Sequence, residues 1–124
     1  MRHLLLQLGV VSICGAFASH ANSMDITTYE RHRAEPAGSK NRGLQRIYLV
    51  AVGEGFKWAN AALSSRKQTP LFCPPEQLPL TAENYAQLVD AALTANRDKY
   101  VANELPIEAI LLFELQSKLP CVAE

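Results

Sequence analysis

The sequence contains few of the residues on which enzymes and metal centres most often depend. Its 124 residues include three histidines and three cysteines, and 12 lysine and arginine residues balance 12 acidic residues. A chain without net charge offers no electrostatic footprint for nucleic acid or for an anionic membrane surface. Beyond the first two dozen residues no apolar run approaches the roughly 20 residues of a membrane-spanning helix.

The first two dozen residues have the three parts of a secretory signal. Arg2 and His3 form a basic start, residues 4–17 form an apolar run, and small and polar residues follow. A retained anchor is the alternative, but the apolar run is shorter than the roughly 20 residues that cross a bilayer. The pattern therefore indicates export.

We predict a signal peptide at residues 1–21 that is cleaved near Ala21, where small residues suit the signal peptidase. Cleavage after Ala18 or after Ser23 also fits the pattern. The predicted mature chain is a single domain of residues 22–124 without a stable membrane anchor, and its length suits one modest hydrophobic core.

Two cysteines, Cys73 and Cys121, remain after the predicted cleavage. An even number of cysteines in an exported protein favours a disulfide. The bond would close a loop of about 48 residues, for which chain entropy alone gives about 4 kcal/mol of stability. Two free buried thiols are the alternative. A metal site is disfavoured, because His32 is the one remaining histidine and no second ligand lies at zinc spacing.

Helical periodicity dominates the mature chain, and no segment reads as a strand. The predicted helices are residues 24–34, residues 41–66, one that follows Thr81, and one from Pro106 to Pro120. Between the second and third helices, residues 67–80 form a proline-rich loop tethered by Cys73. We therefore predict an all-α fold, a small bundle of four to five helices with one disulfide.

The second predicted helix is apolar around much of its circumference. One stripe comprises Leu44, Ile47, Tyr48, Ala51, Gly55, Trp58, Ala59 and Ala62, and a second comprises Leu49, Val52, Phe56 and Leu63. Such a helix is usually buried, so Trp58 and Phe56 are interpreted as core, with a dimer or partner surface as the alternative. Gly53 and Gly55 are interpreted as a close approach of a neighbouring helix or as a kink.

The third and fourth helices each carry one apolar stripe. The stripes comprise Tyr85, Leu88, Val89, Ala92 and Leu93 in the third helix and Ile107, Ile110, Leu111, Leu115 and Leu119 in the fourth. Asp90 and the charged residues 97–99 are expected to be solvated, as is the basic cluster 31–33.

No set of residues converges on a catalytic motif. Serine nucleophiles need a histidine base, and His32 stands alone in a polar segment. Carboxylate pairs drawn from Glu54, Glu83, Asp90, Glu108 or Glu114 would occur in any small helical protein. We therefore predict that the chain is not an enzyme and needs no cofactor or metal. Glu54, between two glycines, is interpreted as an exposed helical residue or as a partner contact.

Four short motifs occur in a recognisable order. They are Tyr48-Leu49-Val50-Ala51-Val52-Gly53-Glu54-Gly55, then Leu71-Phe72-Cys73-Pro74-Pro75, then Leu88-Val89, and finally Leu119-Pro120-Cys121. In this order and spacing, from about residue 43 to residue 121, the chain resembles the Rap/Tai family, the immunity proteins of the bacterial type VI secretion system.

The resemblance implies a periplasmic all-helical domain, often a homodimer, with the Cys73–Cys121 disulfide. It implies that the chain is a toxin inhibitor that binds a peptidoglycan amidase effector and blocks its active-site cleft sterically. The candidate partner-binding residues are Glu54, Pro74, Pro75 and Glu76. The alternative function is a periplasmic acid-stress chaperone of the HdeA type, which would open and expose apolar surface at low pH.

Overall fold

The computed structural model describes residues 22–122, and these form four α-helices and no strand. The helices are α1 (Ile26–Ala34), α2 (Lys40–Ser65), α3 (Ala82–Ala102) and α4 (Ile107–Lys118). The predicted all-α bundle is confirmed, together with the Cys73–Cys121 disulfide. The predicted signal peptide, residues 1–21, lies outside the described residues. None of the helices between residues 22 and 122 is long and apolar enough to cross a membrane.

Side-chain caps set the first residues of three helices. The side-chain oxygens of Asp25, Ser39 and Thr81 each accept a hydrogen bond from the backbone N–H three residues further along the chain. Such a bond satisfies one of the donors that a helix start leaves unpaired. The fourth helix begins one residue later than predicted, since Pro106 occupies its N-cap and makes no side-chain cap bond.

The core lies where α3 packs against α2 on one side and α4 on the other. Its most deeply buried aliphatic side chains are Leu49, Val89, Ile107, Ile110, Leu111 and Leu115. Tyr29 from α1 and Phe72 from the proline-rich loop close the core, each with 1% of its surface exposed. The predicted apolar stripes of α3 and α4 are therefore confirmed as the faces that build the core.

Only one of the two apolar stripes predicted for α2 is buried. Leu49 and Gly53 are buried, and Val52 and Phe56 pack against the core, so the second apolar stripe faces inward. Phe56 is thus a core residue, as predicted. Both stripes have helical spacing, and the side-chain pattern alone does not say which stripe α3 and α4 cover.

The first stripe, which was predicted to be buried as well, is exposed to solvent over most of its length. Leu44 exposes 49% of its surface, Ile47 exposes 67% and Trp58 exposes 75%. The interpretation of Trp58 as a core residue is therefore wrong. Its alternative, a surface residue available to a partner, matches its position in the fold.

A close approach of α3 to α2 requires glycine at residue 53. A Cβ atom added to Gly53 would lie 2.3 Å from the Cζ atom of Tyr85, far inside van der Waals contact. The predicted close approach is confirmed here. Gly55 has no such neighbour, and a Cβ there would meet nothing within 4 Å. The kink lies instead in α3, where Asn96 has non-helical backbone angles.

The segment before α1 is tied to two other helices. The backbone N–H of Met24 donates to the Tyr48 hydroxyl over 3.1 Å, and that hydroxyl donates to the Glu108 carboxylate. The backbone N–H of Ile107 donates to the carbonyl of Met24 over 2.9 Å. Burial, followed by the bond to Glu108, raises the pKa of Tyr48 to about 12. The phenol therefore stays protonated and available as a donor.

Candidate binding surfaces

The proline-rich loop is held to the bundle at three adjacent residues. Asn60 of α2 accepts a 2.7 Å hydrogen bond from the Leu71 amide and donates a 2.8 Å bond to the Phe72 carbonyl. The Phe72 side chain inserts into the core. The Cys73 amide then donates to the Leu119 carbonyl over 2.8 Å, beside the disulfide to Cys121. Backbone, side-chain and covalent bonds thus converge on this segment.

The residues after this anchor, 74–79, form an exposed loop, here called the 74–79 loop. Pro74 is half-buried, whereas Pro75, Glu76 and the three residues that follow are exposed. A 3.0 Å hydrogen bond from the Leu78 amide to the Pro75 carbonyl makes a turn. Three of the six residues are prolines, which fix the backbone φ angle. The loop is therefore exposed and conformationally restricted.

An apolar groove of about 360 Å³ adjoins this loop. Its lining includes Leu78 from the loop, Leu80 and Leu88 around the start of α3, and Lys118 and Leu119 at the end of α4. Leu78 itself exposes 43% of its surface. The loop and the groove together offer an apolar anchor beside exposed polar and charged groups.

Of the four candidate partner-binding residues, the structure brings three together and separates the fourth. Pro74, Pro75 and Glu76 are consecutive in the loop, whereas Glu54 lies on α2. Its carboxylate forms an ion pair with Lys57 at 2.7 Å, and both side chains are half-exposed. Exposed pairs of this kind contribute little stability. Glu54 adjoins the exposed stripe of α2 and is not part of the loop surface.

A polar cluster joins α1 to α3 and corrects two predictions. Arg33 was expected to be solvated, but its guanidinium pairs with Glu83 and Asp90, each at 2.8 Å. Asp90 was also expected to be solvated, but it accepts a 2.8 Å hydrogen bond from the Tyr29 hydroxyl. These partners lie 50 or more residues apart in the sequence, so helical periodicity could not indicate them.

The pKa values of this cluster suit a structural role. Burial, followed by the hydrogen bond to Asp90, raises the pKa of Tyr29 well above its usual range, so its hydroxyl remains a donor. The hydrogen bond from Arg33 lowers the pKa of Glu83, which therefore stays charged at neutral pH. Between residues 22 and 122, no three His, Cys, Asp or Glu side chains are grouped so that they could hold a metal ion.

Acid should weaken the contacts between α1 and α3. Hydrogen bonds from Arg33 and Arg97 hold the pKa values of Glu83 and Glu30 below 4.5 in the folded protein. A carboxyl group whose pKa is lower in the folded than in the unfolded protein stabilises the fold fully at pH values above its unfolded-state pKa. This stabilisation is lost as the pH falls through the folded-state pKa. We expect the urea midpoint to decrease as the pH falls below about 4.5.

The matched variants for this prediction are Arg33→Gln and Arg31→Gln, two arginines of the same helix. Arg33→Gln should flatten the acid dependence of the urea midpoint, because Glu83 loses its partner. Arg31→Gln should leave the acid dependence of the urea midpoint nearly unchanged, because Arg31 is exposed. Equal acid slopes for the two variants would contradict the assigned role of Arg33.

Comparison of the chain with family models, with curated proteins and with solved structures gives no match. The functional argument therefore depends on the sequence motifs and on the two exposed surfaces described above.

Proposed function

We propose that this chain is a periplasmic immunity-type binding protein that inhibits a peptidoglycan amidase effector of the type VI secretion system by occupying its active-site cleft. The motif order that resembles the Rap/Tai family supports this proposal. The main structural observation in its favour is that the 74–79 loop is exposed and directly follows a segment held by Asn60, Phe72 and the disulfide.

A restricted, exposed loop suits steric inhibition for a physical reason. Binding costs free energy when flexible groups become ordered, and a loop already held in one conformation avoids much of that cost. The prolines fix the backbone φ angle at three of the six positions, and an exposed loop held in one shape can fill a cleft that otherwise accepts a cell-wall peptide. Leu78 and the adjacent groove supply apolar contact. Inhibition then requires no chemistry from the bound protein.

The first test is capture from periplasmic extract with the oxidised mature protein as bait. The proposal predicts recovery of one cell-wall amidase in near-stoichiometric amount, with its hydrolysis of purified peptidoglycan blocked. Recovery of many unrelated proteins, mainly after acid treatment, would support the acid-stress chaperone instead. The family resemblance also implies a homodimer, which steric inhibition does not require.

A pair of matched variants tests whether the inhibitory contact lies in the 74–79 loop. Leu78→Asp should weaken inhibition of the captured amidase by about tenfold or more, since it puts a charge at a central apolar contact. Val101→Asp makes the same change at the end of α3, where the aliphatic side chain is 45% exposed compared with 43% for Leu78. It should inhibit like the wild type. Equal inhibition by both variants would show that the loop is not the inhibitory element.

A further inference from the structure

The exposed apolar stripe of α2 is a second surface that the proposed inhibition leaves unused. This α2 stripe consists of Leu44, Ile47, Ala51, Gly55, Trp58 and Ala62, which are all exposed and recur at intervals of three and four residues along one face. At the rise of an α-helix the stripe is about 27 Å long. Its largest member, Trp58, has 75% of its surface in solvent. A contiguous exposed apolar surface of this kind marks an interaction site.

The charges of the chain are segregated between α2 and the helices that follow it. Residues 40–67, which contain α2, carry six lysine and arginine residues and one acidic residue, Glu54. Residues 68–122 carry three basic and seven acidic residues. The net charge of the whole chain therefore does not describe α2, which is a basic helix and attracts anionic surfaces. The expectation that the chain has no electrostatic footprint for an anionic membrane surface does not apply to this helix.

The basic residues lie where a helix on a bilayer surface needs them. Lys40 precedes the α2 stripe, Arg66 and Lys67 follow its end, and all three are exposed. Among the residues that the structure describes, none of these three pairs with a carboxylate. The acid of the helix, Glu54, is itself paired with Lys57. Three cations therefore remain available to lipid phosphates, which long lysine and arginine side chains can reach from the ends of an apolar strip.

The rest of the bundle lies on the opposite side of α2. The buried residues Leu49 and Gly53 lie about half a turn round the helix from Ala51. Asn60, which holds the segment before the 74–79 loop, lies on that side as well. A molecule that rests on the α2 stripe would therefore keep the anchor of this loop away from the surface beneath it. Docking through the stripe and inhibition through the loop are thus compatible.

We propose that the α2 stripe docks the protein reversibly on a bilayer that contains anionic phospholipids, with α2 parallel to the membrane. Helices of this kind bury leucine and tryptophan side chains at the headgroup level and keep lysine and arginine near the phosphates. Tryptophan suits that depth because its ring is apolar and its N–H is polar. A specific protein partner would instead require several polar groups placed for hydrogen bonds, and the side chains of the stripe offer one, the indole N–H of Trp58.

The fluorescence of Trp58 measures the docking directly, because the chain contains one tryptophan. Vesicles of phosphatidylethanolamine and phosphatidylglycerol, added to the oxidised mature protein, should shift the emission to shorter wavelength and protect the indole from acrylamide. Vesicles of phosphatidylcholine alone should bind about tenfold more weakly or less, since they lack the anionic charge. The protein should co-sediment with the anionic vesicles and be released by high salt.

Two exposed alanines provide matched variants. Ala51→Glu puts a carboxylate in the middle of the α2 stripe and should weaken binding to the anionic vesicles by about tenfold or more. Ala91→Glu makes the same change in net charge at an exposed position of α3 and should bind nearly like the wild type. Equal binding by the two variants would overturn the proposal. It would also be overturned if the wild type bound neither kind of vesicle or bound both kinds equally.

The same fluorescence signal distinguishes other occupants of the stripe. A shift to shorter wavelength on concentrating the protein without lipid would indicate a second copy, and a shift on adding the captured amidase would indicate the amidase. Either shift without a response to vesicles would overturn the proposal.

Inhibition assays keep the two proposals separate, because docking does not depend on which protein the 74–79 loop binds. Ala51→Glu should still block the captured amidase in solution as well as the wild type does, since the change leaves the loop intact. Leu78→Asp should lose inhibition but bind the anionic vesicles like the wild type. Failure of vesicle binding would therefore overturn the docking proposal and leave the proposed inhibition unaffected.

Discussion

Cys121→Ser is expected to lower the free energy of unfolding by about 4 kcal/mol under oxidising conditions. The disulfide links residues 48 apart in the sequence, and without it the unfolded chain gains the conformational freedom of that whole loop. A loss of this size is a large part of the net stability of a small domain. Chemical denaturation of the wild type and the variant, followed by far-UV circular dichroism, gives the difference.

The partner cysteine provides the control for this result. Cys73→Ser should cost about as much as Cys121→Ser, and the double variant should cost no more than either, because all three remove the same bond. Reduced wild type should approach the stability of the variants. An unchanged denaturation midpoint for Cys121→Ser under oxidising conditions would show that the disulfide does not stabilise the domain.

Gly53→Ala is expected to destabilise the protein by about 1–3 kcal/mol, the cost of adding volume to a packed core. The added methyl group would lie 2.3 Å from Cζ of Tyr85, whose ring is itself 1% exposed. The ring cannot move toward solvent without opening the contact between α2 and α3. The cost of the clash with Tyr85 outweighs the gain in helix propensity, since alanine is favoured over glycine inside a helix by roughly 1 kcal/mol.

The matched control is Gly43→Ala in the first turns of the same helix. No atom would lie within 4 Å of a Cβ at residue 43, so this variant should be more stable than the wild type by up to about 1 kcal/mol. The two changes are chemically identical and should have opposite signs. If Gly53→Ala raised the thermal midpoint as Gly43→Ala does, Tyr85 would not be packed against α2 as described.

The helices could be predicted because their signals are local. Asp25 and Thr81 cap helices by bonding to residues three positions away, and the apolar stripes of α3 and α4 have one face each. The turns that follow α2 and α3 are different. Lys67 and Glu104 adopt positive φ angles of 57° and 51° without being glycine, so the usual sequence marker of these turns is missing.

The orientation of α2 could not be predicted because the helix has two apolar stripes. Periodicity identifies both stripes, but only the packing of α3 decides which one is buried. One signal was present. Gly53 lies on the buried face, and the stability that a glycine costs inside a helix is tolerated where a neighbour needs the space. The same glycine could not reveal which neighbour approaches, since Tyr85 comes from another helix.

The candidate loop surface was predictable in part. The cysteine pair and the prolines predict a tethered loop, and Pro74, Pro75 and Glu76 lie in it as predicted. The hydrogen bonds of Asn60 to the loop backbone were not foreseen. An asparagine in a helix gives no sign of a partner across a turn, because many such side chains face only water.

The most direct test of the proposed inhibition is a titration of the captured amidase with the oxidised mature protein, with release of peptides from purified peptidoglycan as the measurement. We predict that hydrolysis falls in proportion to the added protein and stops near one chain per amidase, and that Leu78→Asp fails to stop it at that ratio. Unchanged hydrolysis at a large excess of the wild-type protein would contradict the proposed function.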